Sequence, residues 1–414
     1  MTVPQLLHPF AAPTTEADKF LEIVRADGCR LWDDQGRTYL DGTASLWYCA
    51  AGHGRTEIIE AVHEQMGQLV AYHTFGRFTN PPAQRLADEL MELEPIAGAR
   101  VLFTNSGSEA VDSAMKLARA GHRANGEGGR TIFLSRRYGY HGVMFGGTSL
   151  GGLPPNRTPF GPLLPDTFQV AHDSLDAMSD AVTYHGPGRI AAIIAEPVIG
   201  AGGVFPPPDG YLQGLRDLCD ECGALLIFDE VITAFGRLGS WFGSHHFGVE
   251  PDMMTFAKAV TSGYLPLGGV VVGPQLRSWL EADEAFLLTH GGTYSGHPSC
   301  CAAALANLAI MKREQLPERA KAAGERLRDG LDQLIGLEGV AGVRGEGLMQ
   351  AVVLAQPVTA AAVAESLLSR GVIGRGLPYA NAVAFSPPLI VSDDEVDELV
   401  GGMREAIGVV AAAV

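Results

Sequence analysis

Only five lysines occur in the 414 residues, at positions 19, 116, 258, 312 and 321, so chemistry that needs a primary amine has few places to sit. Lys19, Lys312 and Lys321 have polar neighbours, and Lys116 falls inside a helical stretch. Lys258 alone is set among Met253, Met254, Phe256, Ala257, Ala259 and Val260, just ahead of a glycine-rich turn. Desolvation lowers an amine's pKa and makes it nucleophilic, although a lysine snorkelling from a core edge would look similar. Asp229 follows the apolar run ALLIF (224–228), at the end of a strand where open α/β sheets place ligands. A carboxylate there needs a cationic or donor partner. Upstream, TNSGSEA (104–110) closes a strand, turns at Gly107 and opens a helix near Glu109. Its N–H groups with the hydroxyls of Ser106 and Ser108 suit a phosphate, but Ser106 and Glu109 equally read as a plain capping box. A phosphate cup, a strand-end carboxylate and an apolar-pocket lysine, in that order, match the needs of a phosphate-bearing pyridine aldehyde.

These residues need a scaffold, and the spacing of apolar runs predicts one. Strands are expected at Arg100–Thr104, Thr131–Leu134, Ile190–Ala195, Ala224–Phe228 and Gly269–Val272, apolar throughout as in parallel strands covered on both faces. Helices are expected at Glu109–Gly121 and Gly210–Glu221, giving an α/β architecture. Residues 20–42 read as a hairpin broken at Asp34-Gln35-Gly36. After Leu316 come helix (Glu318–Leu334), strand (Gly347–Leu354), helix (Thr359–Ser369), short strands, and a last helix from Asp393, started by a Ser392–Glu395 capping box. The expected division is an N-terminal segment of a small domain (1–50), a large domain (51–315) and the C-terminal part of the small domain (316–414). The loop Gly151–Gly161 is turn-rich and states no role.

Composition narrows the classes. A hydrophobic content of 46% with 19% charged residues excludes a disordered polyelectrolyte. The formal charge of −17 sets a field that repels nucleic-acid backbones and anionic lipid. The longest nearly apolar stretch, Cys300–Met311, is broken by Asn307 and too short to span a bilayer. The N-terminal residues lack the basic-then-apolar pattern of a signal peptide, so a cytoplasmic location is expected.

With these segments in order the chain resembles the class III (omega-amino acid) aminotransferases, which depend on pyridoxal phosphate and have the fold-type I architecture. The matching segments are DGTASLWYCAAGHG (41–54), NSGSEA (105–110), YHG (140–142), AEPVIGAGG (195–203), FDEVITAFGR (228–237), DMMTFAKAVTSGYLPLGG (252–269), GGTYSGHP (291–298) and FSPPLIV (385–391). The resemblance is to the amine:pyruvate and beta-alanine:pyruvate branch. It implies that Lys258 binds the cofactor covalently and later shuttles a proton, and that Asp229 keeps the pyridine nitrogen protonated. Val231 and Tyr140 would cover the two ring faces, with His141 beside them. Ser106, Gly107 and Ser108 would hold the phosphate, and Thr293 would reach the phosphate of the neighbouring subunit in a homodimer. Trp47, Phe75 and Val143 (with Tyr48) would wall the substrate pocket. Arg375 would meet a substrate carboxylate, with Glu196 able to pair with it when it is not so engaged. Gly292 replaces a larger residue and would leave the pocket roomier. The implied reaction moves an amino group from a primary amine or omega-amino acid to a 2-oxo acid, pyruvate, in a ping-pong sequence.

Other readings stay open at this level. The same scaffold hosts 2,1-aminomutases, decarboxylating aminotransferases and racemases. Cys219 and Cys222 have CxxC spacing but no second pair, which favours a structural role over zinc or thiol chemistry, and no metal site is expected. His245-His246 has no evident carboxylate partner. Gly342-x-x-Gly345-x-Gly347 precedes a strand instead of following one, against a dinucleotide fingerprint.

Overall fold

The computed structural model describes residues 3–413. Near the N-terminus, β1 (Ile23–Asp27), β2 (Arg30–Asp33) and β3 (Thr38–Asp41) form an antiparallel meander turning at residues 34–37 as the sequence predicts. The central sheet has seven strands: β4 (Arg100–Thr104), β5 (Ile132–Arg136), β6 (Thr167–Val170), β7 (Ile190–Ala195), β8 (Leu225–Asp229), β9 (Met253–Phe256) and β10 (Gly268–Val272). The C-terminal strands are β11 (Val340–Glu346), β12 (Met349–Leu354), β13 (Val372–Ile373), β14 (Arg375–Leu377) and β15 (Ala382–Phe385).

The central order is β4-β10-β9-β8-β7-β5-β6. β5 through β9 pair in parallel, whereas β10 runs antiparallel to both β9 and β4. The expectation of a mostly parallel sheet is met, with β10 as the exception. Its run GGVVV is buried on both faces like its parallel neighbours, so hydropathy could not reveal its direction. Alternate side chains face opposite layers. Phe133, Ala192, Leu225 and Ile227 pack with the helix Gly107–Ala124, whereas Leu134, Ile193, Leu226 and Phe228 pack with the helices Leu175–His185 and Tyr211–Cys222. This is the fold-type I α/β arrangement, with helices on both faces of the sheet.

β6, β9 and β11 were not anticipated. β6 is polar enough to read as loop, β9 merges in sequence with the lysine turn, and β11 is interrupted by glycines. The chain's two ends meet where β13 pairs in parallel with β3, Val372 opposite Leu40. The last helix, Asp393–Ala412, begins with the expected reciprocal Ser392–Glu395 box. Among the described residues no helix is long and apolar enough to cross a membrane.

Candidate active site

Three adjacent parallel strands deliver three charged side chains to one edge of the sheet. Glu196 follows β7, Asp229 ends β8, and Lys258 lies two residues beyond β9. Tyr140 and His141 come from the loop after β5, and Gly107 from the turn after β4. These residues line a cavity of about 610 Å³ together with Trp47, Ser108, Val231 and Arg375.

Asp229 is 4% exposed and fully engaged on its protein side. Its Oδ2 is 2.8 Å from His141 Nδ1, while Oδ1 accepts from the Thr255 hydroxyl at 3.0 Å and the Val231 N–H at 3.2 Å. Thr255 is opposite Asp229 in the β8–β9 register, a pairing that no sequence signal announced. His141 Nε2 is buried and has no partner among the described residues.

Lys258 occupies the left-handed region at φ +50°, an uncommon conformation for a side-chain-bearing residue. Burial lowers its amine from 10.5 to about 8, against the opposing pull of Asp229 and Glu196, with Arg375 pushing the same way as burial. A sizeable neutral fraction near pH 8 is what a nucleophile or proton carrier needs.

At the start of the helix Gly107–Ala124, Ser106 Oγ accepts from the Glu109 N–H at 3.2 Å. Glu109 does not return the bond to Ser106; it accepts from the Asn105 backbone and carboxamide at 2.8 and 2.9 Å. The reciprocal capping box is therefore absent, and Ser106 caps the helix without lining the cavity. Gly107 and Ser108 do line it, with first-turn N–H groups that the helix itself cannot satisfy. A Cβ on Gly107 would lie 2.8 Å from Val231 Cγ1, so that close approach requires glycine. Ser108 Oγ accepts from the Val143 N–H at 3.0 Å, leaving its proton to donate.

Trp47 is 3% exposed, its indole nitrogen is buried without a partner, and the Arg375 guanidinium lies 5.3 Å from its ring. Arg375 Nε is likewise buried and unpartnered. Glu196 does not pair with Arg375. Its Oε1 accepts from the Tyr140 N–H and its Oε2 from the Gly200 N–H, each at 2.9 Å, so both oxygens are committed to the backbone.

Phe75, Val143 and Thr293 do not line this cavity. Phe75 and Thr293 sit on exposed segments of the chain, and Val143 instead lines a smaller apolar hollow of about 380 Å³ beyond Tyr140. Gly292 does not line this cavity, and a Cβ there would come within 2.3 Å of Glu109 Oε1, the end of a flexible side chain. Sequence reasoning missed Phe10, Leu46, Ile232, Leu377 and Tyr379 as lining residues, none of which has a chemical signature. The loop Gly151–Gly161 supplies Leu153, Pro155 and Asn156 to the wall.

The alternative clusters assemble no second site. Cys219 is buried with its thiol pushed well above its ordinary value by desolvation, and Cys222 Sγ points to the Cys219 carbonyl. His245 bonds the Glu94 carbonyl and His246 the Glu346 carboxylate. Among the described residues there is no group of three or more His, Cys, Asp or Glu placed to hold a metal ion.

Comparison with known proteins agrees with this geometry. An omega-aminotransferase of Caulobacter vibrioides is 38% identical across 97% of this chain and 98% of its own. A beta-alanine–pyruvate aminotransferase of Pseudomonas aeruginosa is 41% identical across 80% of this chain and 79% of its own. Among solved structures, a transaminase from the marine bacterium Virgibacillus superposes with a TM-score of 0.96 at 40% identity, covering 99% of this chain and 98% of that one. An amine transaminase from an uncultivated Pseudomonas species, in a PLP-bound form, gives 0.93 at 37% identity and 99% coverage of both chains. The family model for aminotransferase class-III matches residues 11–407. The chain belongs to the class-III aminotransferases, a family of pyridoxal-phosphate-dependent transaminases.

Proposed function

We propose that this aminotransferase takes its amino group from a primary amine or omega-amino acid and delivers it to pyruvate, using pyridoxal phosphate held in the cavity beneath Trp47 and Arg375. The observation that carries the reading is the convergence of Lys258, Asp229 and the start of the helix Gly107–Ala124 on that one cavity. An amine, a carboxylate and a set of backbone N–H donors suit the aldehyde, the ring nitrogen and the phosphate of the cofactor in turn. The unpartnered, buried His141 Nε2 fits a polar group placed beside it.

When bound, pyridoxal phosphate supplies an aldehyde that condenses with amines and a protonated ring that accepts the electron pair left on the substrate carbon. Asp229, oriented by His141 and Thr255, would face the ring nitrogen of the cofactor. Gly107 N–H and the Ser108 N–H and hydroxyl, which line the cavity, would hold the phosphate against an overall acidic field. Val231 and Tyr140, which line the cavity, would cover the ring faces, and Glu196 fixes the Tyr140 loop through its backbone N–H. Lys258, whose amine lines the cavity and is lowered to about 8, would hold the aldehyde end of the cofactor and would serve as the base that carries a proton from the substrate carbon. Arg375 offers charge to a substrate carboxylate, and Trp47 holds the guanidinium by its ring face.

The division of residues 1–50 and 316–414 around a large unit of 51–315 belongs to the same proposal, supported by the β3–β13 pairing of the chain's two ends. So does a homodimer in which Thr293 reaches the phosphate of the neighbouring site. Phe75, Val143, Phe145, Leu287 and Tyr294 expose large apolar surface that a second copy would cover. A cytoplasmic location completes the proposal.

The test is a panel of plain amines and omega-amino acids offered with pyruvate or 2-oxoglutarate. Transfer to pyruvate with both donor classes is expected; conversion of an amine with no acceptor requirement would instead point to a mutase or racemase.

A further inference from the structure

Asn307 is the one polar residue in the run Cys300–Met311, and it is 0% exposed within the helix Pro298–Arg313. A carboxamide so placed is costly unless its groups are paired. Here they are, and mostly outside its own helix. Nδ2 donates to the carbonyls of Ala259 at 2.9 Å and Val260 at 3.0 Å, with the Met311 sulfur at 3.5 Å. Oδ1 accepts from the Ser262 hydroxyl at 2.7 Å, and Ser262 Oγ in turn accepts from the Ala51 N–H at 2.9 Å.

Those two carbonyls belong to the single turn Lys258–Thr261. The turn begins and ends in the left-handed region, with φ +50° at Lys258 and +49° at Ser262. Neither is glycine, so the conformation persists only where surrounding bonds determine it. Backbone bonds flank the turn as well, Val260 N–H to the Ala257 carbonyl, Ser262 N–H to that of Ala259 and Tyr264 N–H to that of Thr261. A hydrophobic residue at 307 would fill the space and leave the carbonyls of Ala259 and Val260 without their side-chain donor.

We propose that Asn307 is a positioning residue for Lys258. It fixes the strained turn by two consecutive carbonyls and, through Ser262 and Ala51, ties that turn to the chain running on from Trp47. The reacting amine and one wall of the substrate pocket are thereby held in one frame. This rests on Lys258 as the reacting amine, and a displacement of about 1 Å at such a group is enough for roughly 100-fold in rate.

Asn307→Asp keeps the shape and replaces the donor with an acceptor facing two carbonyls; Ser262→Ala removes only the relay. Two readouts are taken on the full-length protein: kcat and KM separately for the holoenzyme, and labelling of Lys258 in the cofactor-free protein by a small amine-directed reagent across about pH 6 to 11. Asp229, Glu196 and Arg375 face Lys258 and are unchanged in every variant. In Ser262→Ala, which adds no charge, an altered labelling profile reports the amine's position. In Asn307→Asp the new carboxylate adds its own upward pull, and the loss of kcat is the deciding readout. In Asn307→Asp we expect kcat to fall about 30- to 100-fold with KM within about threefold. The labelling midpoint should move up from about 8 towards an ordinary lysine value. Ser262→Ala should shift both in the same direction by a smaller amount, and it decides alone if Asn307→Asp does not fold. Leu327→Ala, a core truncation in the helix Leu316–Asp332, serves as a control for lowered stability and should label like the parent. Parental kcat and labelling in Ser262→Ala and in the folded Asn307→Asp variant, or the same shifts in Leu327→Ala, would overturn the proposal. Turnover by Lys258→Ala would instead overturn the role of Lys258 itself, so the two failures are distinguishable.

Discussion

His141 Nδ1 stands 2.8 Å from Asp229 Oδ2, and the two side chains are 2% and 4% exposed. A hydrogen bond between such groups fixes the carboxylate's orientation without neutralising the oxygen it offers elsewhere. Losing a bond to a charged, buried group costs about 1.5–3 kcal/mol, or roughly 10- to 100-fold in a rate that depends on it. His141→Leu should therefore lower kcat by about that factor at saturating cofactor and speed cofactor loss on dialysis. Steady-state kinetics with and without added pyridoxal phosphate check both.

Arg375 carries an unpartnered Nε beside Trp47 and has no carboxylate partner among the described residues. Arg375→Ala should reduce kcat/KM for carboxylate-bearing donors by about 100-fold and for plain amines by less than about threefold. Equal losses in both classes would remove Arg375 from the carboxylate role.

Lys258 also makes stability depend on pH. Its folded value of about 8 lies below the ordinary 10.5, so the unfolded chain binds more protons between those limits and stability rises with pH across that window. The full shift amounts to about 3 kcal/mol, absent below pH 8 and complete above 10.5. Urea denaturation of the cofactor-free protein should show this rise, and Lys258→Met should lack that part of it while being the more stable form at pH 7.

Asp41 is fully buried and binds the Thr43 N–H and hydroxyl at 3.0 Å, the Ser45 N–H at 2.7 Å and His53 Nε2 at 3.0 Å. These bonds hold Ala44, Ser45 and Trp47 at φ between +45° and +61°, the strained stretch that points Trp47 into the cavity. Asp41→Ala should destabilise the protein by about 3 kcal/mol and raise KM for the amine donor, read by urea midpoints and kinetics.

Much of this site was legible because each reacting residue sits at a junction with a strong local pattern. An apolar strand ending on Asp229, a serine-capped helix after a glycine, and a lysine in an apolar run are local features. What could not be read was set across the chain. The Thr255–Asp229 bond depends on the register of β8 with β9, and the direction of β10 depends on its connection, since GGVVV is equally apolar either way. Glu196 and Arg375 are not paired in this structure; the Glu196 carboxylate bonds the N–H groups of Tyr140 and Gly200, contacts set by the packing of loops and not by the local sequence. Phe75 and Thr293 drew attention by resemblance alone, and neither lines the cavity. Asn307 was visible only as a break in an apolar run, and its bonds to the lysine turn appear when the helix Pro298–Arg313 is packed against it.

The most direct measurement is amino transfer from a saturating primary amine to pyruvate by Lys258→Ala supplied with excess pyridoxal phosphate. With the amine gone, no group in the cavity can both hold the cofactor and carry the proton, so alanine formation should fall by at least about 1,000-fold while the cofactor still binds. Turnover within tenfold of the parent would contradict the assignment of Lys258 and, with it, the chemistry assigned to this cavity.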